Sequence, residues 1–108
     1  MKTAILNTSI MTTDGTYSLQ TISLELARKI AQSSTVGILS AVGHESTAQV
    51  LTTLLCVEVP VNRIMFEQQV NQFAIVLKIN GRIPEGKILS LEDIEEIGYT
   101  LKLQTRTA

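Results

Sequence analysis

The sequence predicts a single α/β domain, a mixed sheet of about five strands with helices packed on its faces. Three observations lead there. Short apolar or alternating runs of strand length recur from Thr3–Leu6 to Tyr99–Leu103, and stretches with helical spacing and capping residues fall between them. The chain has 108 residues, enough for one core and too few for two. Hydrophobic residues make up 44% and charged residues 18%, with two prolines and six glycines, a composition that fills a core rather than a disordered tail.

Thr3 to Leu6 reads as a buried first strand, and Asn7-Thr8-Ser9 as its polar exit, where sheets with parallel strands commonly meet ligands. Thr13-Asp14-Gly15-Thr16 forms a turn into a second strand, Tyr17 to Ile22. The polar stretch from Thr8 to Thr16 is either a plain connection or a lid over a ligand site. Ser23 caps a helix from Leu24 to about Ala31, with Glu25 in its first turn and Arg28 and Lys29 nearer its end. Gln32-Ser33-Ser34 breaks it. Thr35 to Val42 is apolar at helical spacing and reads as a short helix closed by Gly43 in the left-handed conformation. A second helix follows, with Ala48, Val50, Leu51, Leu54 and Leu55 on its apolar side and His44 or Ser46 at its start.

Pro60 ends helical structure, and Asn62-Arg63 head a strand from Ile64 to Glu67. Gln68 to Asn71 then turns the chain into Phe73–Ile79, nearly all apolar, as suits a central strand covered on both faces. These two strands are expected as antiparallel neighbours. Asn80 to Lys87 is a loop, Ser90-Leu91-Glu92-Asp93 has the form of a capping box, Gly98 stops that helix, and Tyr99 to Leu103 alternates as a final strand.

Composition also excludes function classes. Aromatic residues make up 4%, so no platform exists for stacking a run of single-stranded bases. Nine basic against ten acidic side chains leave a net charge of −1, unlike proteins that grip long nucleic acid through many phosphates. The single cysteine, Cys56, has no partner for a disulfide, and its apolar neighbours Leu54, Leu55 and Val57 suggest a buried structural thiol. One histidine and one cysteine give no metal constellation, and no cofactor motif occurs. No run approaches the ~18 apolar residues of a membrane span, so a soluble cytoplasmic protein is expected.

The most informative stretch is Gly43-His44-Glu45-Ser46-Thr47, which holds the only histidine at the mouth of a helix. Free amide hydrogens and the positive end of the helix dipole converge there, so a phosphate would be held beside an imidazole. The plain alternative is a capping or surface histidine.

Three blocks carry a resemblance: Val42-Gly43-His44-Glu45-Ser46-Thr47-Ala48-Gln49, then Asn62-Arg63, then Gly81-Arg82-Ile83-Pro84-Glu85-Gly86-Lys87-Ile88-Leu89. In residue type, order and spacing they resemble the viral anti-CRISPR ring nucleases and their bacterial relatives. The similarity runs from about Gly37 onward, includes Leu6-Asn7, and is poor between Thr8 and Gln32. It implies a two-fold homodimer that cleaves cyclic tetra-adenylate, the messenger of type III CRISPR defence, without a metal and by attack of a ribose 2′-hydroxyl. By the same resemblance His44 and Glu85 are the catalytic histidine and its acidic partner, and Asn7, Ser46, Arg63 and Arg82 bind the ligand. Ser9 stays outside the site because the family places one more residue between the asparagine and its serine. Glu45 stands where viral members often have aspartate.

The chemistry of these residue types fits. A 2′-hydroxyl is already tethered beside its phosphorus, so the protein need only hold the in-line geometry, protonate the departing 5′-oxygen and stabilise phosphorane charge. A histidine can supply the proton, and arginines with helix amides the charge stabilisation. Two alternatives remain: a module that sequesters an oligonucleotide without cutting it, and a DNA-binding or regulatory protein of a mobile element.

Overall fold

The computed structural model describes residues 1–84 and 86–108, which form five strands and three helices. In chain order these are β1 (Thr3–Leu6), β2 (Tyr17–Ile22), α1 (Leu24–Ser33), β3 (Ile38–Ser40), α2 (Glu45–Leu55), β4 (Phe73–Ile79), α3 (Leu91–Ile97) and β5 (Tyr99–Arg106). The strands make one sheet in the order β2-β5-β4-β1-β3. Strand β1 runs parallel to both β3 and β4, with Ile5 opposite Ser40 on one side and Ile75 on the other. Strand β5 is antiparallel to β4 and β2, so the sheet is mixed, as the sequence predicts. The apolar run Phe73–Ile79 is the middle strand, with Ala74 to Leu77 buried.

The pleat sorts side chains to two faces. Ile5, Ile75, Leu77 and Leu101 join Ala27 and Ala31 of α1, Leu51, Leu54 and Leu55 of α2, and Ile94 of α3 in the larger core. All three helices therefore lie against one face. On the other face Ala4, Leu6, Ala74 and Val76 are covered by Phe66 and Ile10, from segments without helix or strand. No helix among the described residues is long and apolar enough to cross a membrane.

Local chemistry explains the helices. Ser23 Oγ accepts from Leu26 N–H at 3.1 Å and starts α1. Arg28 and Gln32 of α1 then donate to the carbonyls of Leu54 and Leu55, at 2.6 and 3.1 Å. Arg28 thus serves the open C-terminus of α2 rather than that of its own helix. The reciprocal bonds of Ser90 and Asp93 form the expected capping box of α3, and Gly98 at φ 90° ends it.

Three expectations from the sequence are corrected. Thr35 to Val42 is not a helix; its centre is β3, parallel to β1. Ile38 and Val42 pack in the helix-side core while Leu39 and Ala41 pack in the other, the alternation of extended chain. A short apolar run fits either period, and here Gly37 at φ 87° turns the chain onto the free edge of β1. Gly43 accordingly closes no helix. Its φ lies outside the positive range that holds Gly37, Gly86 and Gly98.

Ile64 to Glu67 is not a strand, because both neighbours of β4 are already β1 and β5. Phe66 alone drops into the second core while Met65 is 91% exposed. Cys56 is exposed, because it takes the left-handed conformation, φ 56°, that ends α2 and turns off its apolar side.

Candidate functional site

The three parallel strands end at the same edge of the sheet, and the stretches singled out in the sequence leave from there. Asn7 follows β1, Gly43 and His44 follow β3, and Asn80 to Arg82 follow β4. Because β1 lies between β3 and β4, Asn7 emerges between the other two exits. Open α/β sheets bind ligands in this region, where connections depart in opposite directions.

His44 is the residue before α2, with extended backbone (φ −125°, ψ 133°), and its side chain makes no capping hydrogen bond. The missing bond removes the capping half of the plain alternative, while the exposure of His44 agrees with its surface half. The first helical bond runs from Ala48 N–H to the His44 carbonyl, 3.0 Å, leaving the amides of Glu45, Ser46 and Thr47 ahead of the ladder. Beside them opens a cleft of about 570 Å³ in which His44, Glu45, Ser46 and Gln49 face Gly86, Lys87 and Ile88. The first and third sequence blocks, some forty residues apart, are thereby joined.

The second block sits behind the histidine. Asn62 N–H donates to the Val42 carbonyl at 2.8 Å, and its side-chain amide donates to the Ser40 carbonyl at 2.7 Å. Arg63 Nε donates to the Gly43 carbonyl at 2.8 Å. What sets Gly43 apart is proximity rather than φ: a Cβ there would stand 3.1 Å from Arg63 Cγ, so the arginine stem would have to give way.

Of the predicted site residues, His44 and Ser46 line the cleft. Half-buried Asn7 and exposed Arg82 share its edge of the sheet but are not among its lining. Glu85 lies outside the described residues. Lys87 and Gln49 line the cleft and carry no role in the sequence reading. Lys87 belongs to the third block, and Gln49 lies one turn beyond Glu45, so helical spacing from that glutamate was the signal for it. Lys87 also acts on the start of α3. Hydrogen bonds from Ser90, its backbone N–H first, hold the Asp93 carboxyl below its ordinary value, and the Lys87 charge adds to the effect.

The segment from Thr8 to Thr16 is not a free lid. Ser9 Oγ donates to Gln104 Oε1 at 2.6 Å, Thr12 Oγ1 to the Phe66 carbonyl at 2.7 Å, and Thr16 N–H to the Ala108 carbonyl at 3.0 Å. It is a fixed cover of the second face. Among the described residues no three His, Cys, Asp or Glu side chains converge as a metal site.

Fold and cleft together define a small α/β protein with a polar cleft at the carboxyl ends of parallel strands and a histidine at its rim. The chain belongs to the STIV B116-like family, whose model matches residues 3–101. It is 33% identical over 106 residues to YddF of Bacillus subtilis (strain 168), covering 98% of each chain. Viral relatives include ORF117 of Acidianus two-tailed virus, 35% identical over 86 residues, 79% of this chain and 74% of that one. Another is protein 26 of Sulfolobus islandicus filamentous virus (isolate Iceland/Hveragerdi), 34% identical over 83 residues, 76% of this chain and 69% of that one. The fold is shared with B116 of Sulfolobus turreted icosahedral virus at a TM-score of 0.80 and 18% identity, over 95% of this chain and 98% of that one.

Proposed function

We propose that the protein is a metal-independent ring nuclease that opens cyclic tetra-adenylate and so switches off type III CRISPR signalling in the cytoplasm. The observation that carries the reading is the cleft that holds His44 at the open N-terminus of α2 across from Lys87. A phosphate placed there meets the free amides of the first helical turn and the Lys87 ammonium. His44 then stands within the same cleft to protonate the departing ribose 5′-oxygen while the 2′-oxygen, its hydroxyl proton passing to water, bonds to phosphorus and the phosphorus–5′-oxygen bond breaks. The product end is a cyclic 2′,3′-phosphate, and no external nucleophile is consumed. Ser46 lies beside the phosphate, and the family resemblance supplies Glu85 as the acidic partner of His44.

Asn7 and Arg82 bind parts of the ring beyond the cleft. A cleft of about 570 Å³ takes a nucleotide-sized part of the ring rather than the whole of it. A two-fold homodimer presents two such clefts to opposite phosphates, which suits a four-fold messenger.

Incubation with radiolabelled cyclic tetra-adenylate in excess EDTA, under single-turnover conditions, tests the reading. Cleavage is the expected result. Retention without cleavage would instead make the protein a sequestering module. Neither outcome would leave a DNA-binding or regulatory protein of a mobile element.

A further inference from the structure

The connection from Val57 to Gln72 contains neither helix nor strand, yet its stretch 60–63 is tied rung by rung to the residues that lead into His44. Ser40 Oγ donates to the Pro60 carbonyl at 2.6 Å, and Asn62 answers with its two bonds to Val42 and Ser40. Arg63 closes the last rung, donating Nε to the Gly43 carbonyl one residue before the histidine. Its aliphatic stem crosses the bare Cα of Gly43, where a Cβ would come within 3.1 Å of Arg63 Cγ.

The Gly43 carbonyl and the His44 N–H share one rigid peptide plane, so fixing the first fixes the second. The imidazole has no capping bond of its own, so its aim depends on that backbone. We infer that Arg63 is a positioning residue, which holds the Gly43–His44 peptide and thereby aims the His44 imidazole into the cleft. This role rests on the proposed ring-nuclease reading and differs from the ligand clamp that the family resemblance implies for Arg63. A clamp acts on affinity. A positioning residue acts on the chemical step, where a displacement of about 1 Å costs ~10²-fold in rate.

Arg63→Ala, Arg63→Lys and Gly43→Ala separate the two roles. Lysine keeps the charge but has no planar Nε donor at that height on its stem. The expected result is that Arg63→Ala and Arg63→Lys both lose ~10²-fold in single-turnover cleavage while binding of cyclic tetra-adenylate changes little. Gly43→Ala, which pushes the Arg63 stem aside, should show the same pattern more weakly. Loss of affinity in Arg63→Ala that Arg63→Lys restores, with cleavage at saturation unchanged, would overturn the inference. Amide NMR of the ligand-free protein gives a readout independent of cleavage. In both Arg63 variants the His44 and Glu45 amide signals should move while those of α1 stay. Unmoved His44 and Glu45 signals would overturn the positioning role even in an active enzyme. If the parent cleaves nothing, moved signals would uphold the latch and discard only the nuclease reading.

Discussion

The two faces of the sheet are covered by different material. On the helix side the cover is aliphatic, with Leu51, Leu54, Leu55 and Ile94 fully buried against Ile5 and Ile75. On the other side small residues such as Ala4 and Ala74 leave room for irregular chain, and glutamines secure it. Gln104, wholly buried, donates to Gln68 Oε1 at 2.7 Å and to the Ile10 carbonyl at 3.0 Å, and accepts from Ser9. Gln68 in turn donates to the carbonyls of Gln72 and Gln104. Among the described residues no buried side-chain polar atom lacks a partner. Apolar burial on the first face stabilises without strict direction. Hydrogen bonds on the second face have direction, and they fix segments that could not otherwise be held in one place. The cleft draws on both: α2 comes from the first face, and the Asn62-Arg63 stretch behind His44 from the connection that covers the second.

The largest expected effect is on the aliphatic face. Leu54→Ala should cost about 2–5 kcal/mol in denaturant unfolding, because a buried leucine in a filled core leaves a cavity. A cost below that of a surface substitution would mean that α2 is not anchored as described. Gln104→Ala should cost about 1–3 kcal/mol, since it takes the donor from Gln68 Oε1 and the Ile10 carbonyl and the acceptor from Ser9. Its signature is regional. Hydrogen exchange should quicken in residues 8–16 while α1 and α2 keep their protection, and a uniform change would erase the proposed division of labour between the faces.

Smaller effects sharpen the edges of the comparison. Ser90→Ala should cost about 1 kcal/mol by removing the cap of α3. Asp93 belongs to the same box and titrates below its ordinary value, so its ionised form stabilises the fold at neutral pH. That contribution is present above the unfolded carboxyl's titration and is lost as the pH falls through the folded one. The difference in melting temperature between the parent and Asp93→Asn should therefore close in acid. A gap that persists there would assign the effect to packing. Cys56→Ser should change stability by no more than about 0.5 kcal/mol, and a thiol reagent should label the native protein at once. Slow labelling would restore the buried thiol.

Most of the fold was legible where local chemistry decides. Ser23, Ser90 and Gly98 mark helix ends by their own side chains or lack of one, and Phe73–Ile79 is too apolar for any place but the centre. Tyr17–Ile22 and Tyr99–Leu103 were legible as strands, but not their facing: Ser18 to Thr21 are all exposed, and in β5, which runs on to Arg106, only Leu101 and Gln104 are buried. Thr35 to Val42 was misread because its structure is decided by a partner, the open edge of β1, which local periodicity does not register. Ile64 to Glu67 failed for the complementary reason: strand-like residues found no free edge. The histidine corner was legible in composition but not in shape. It is a strand-to-helix junction rather than a helix-to-helix corner, and the hydrogen bond from Arg63 to Gly43 spans twenty residues without a sequence signal.

The most direct measurement compares the parent with His44→Ala in single-turnover cleavage of radiolabelled cyclic tetra-adenylate in excess EDTA. The parent should cleave. The variant should fold and bind the ring but react ~10² to 10⁴-fold more slowly, as when proton transfer is lost. A general acid works only while protonated, so the parent's rate should fall at high pH, and that limb should be absent from the variant. Cleavage by His44→Ala at the parental rate, or no cleavage by the parent, would contradict the assignment of His44 as the catalytic acid.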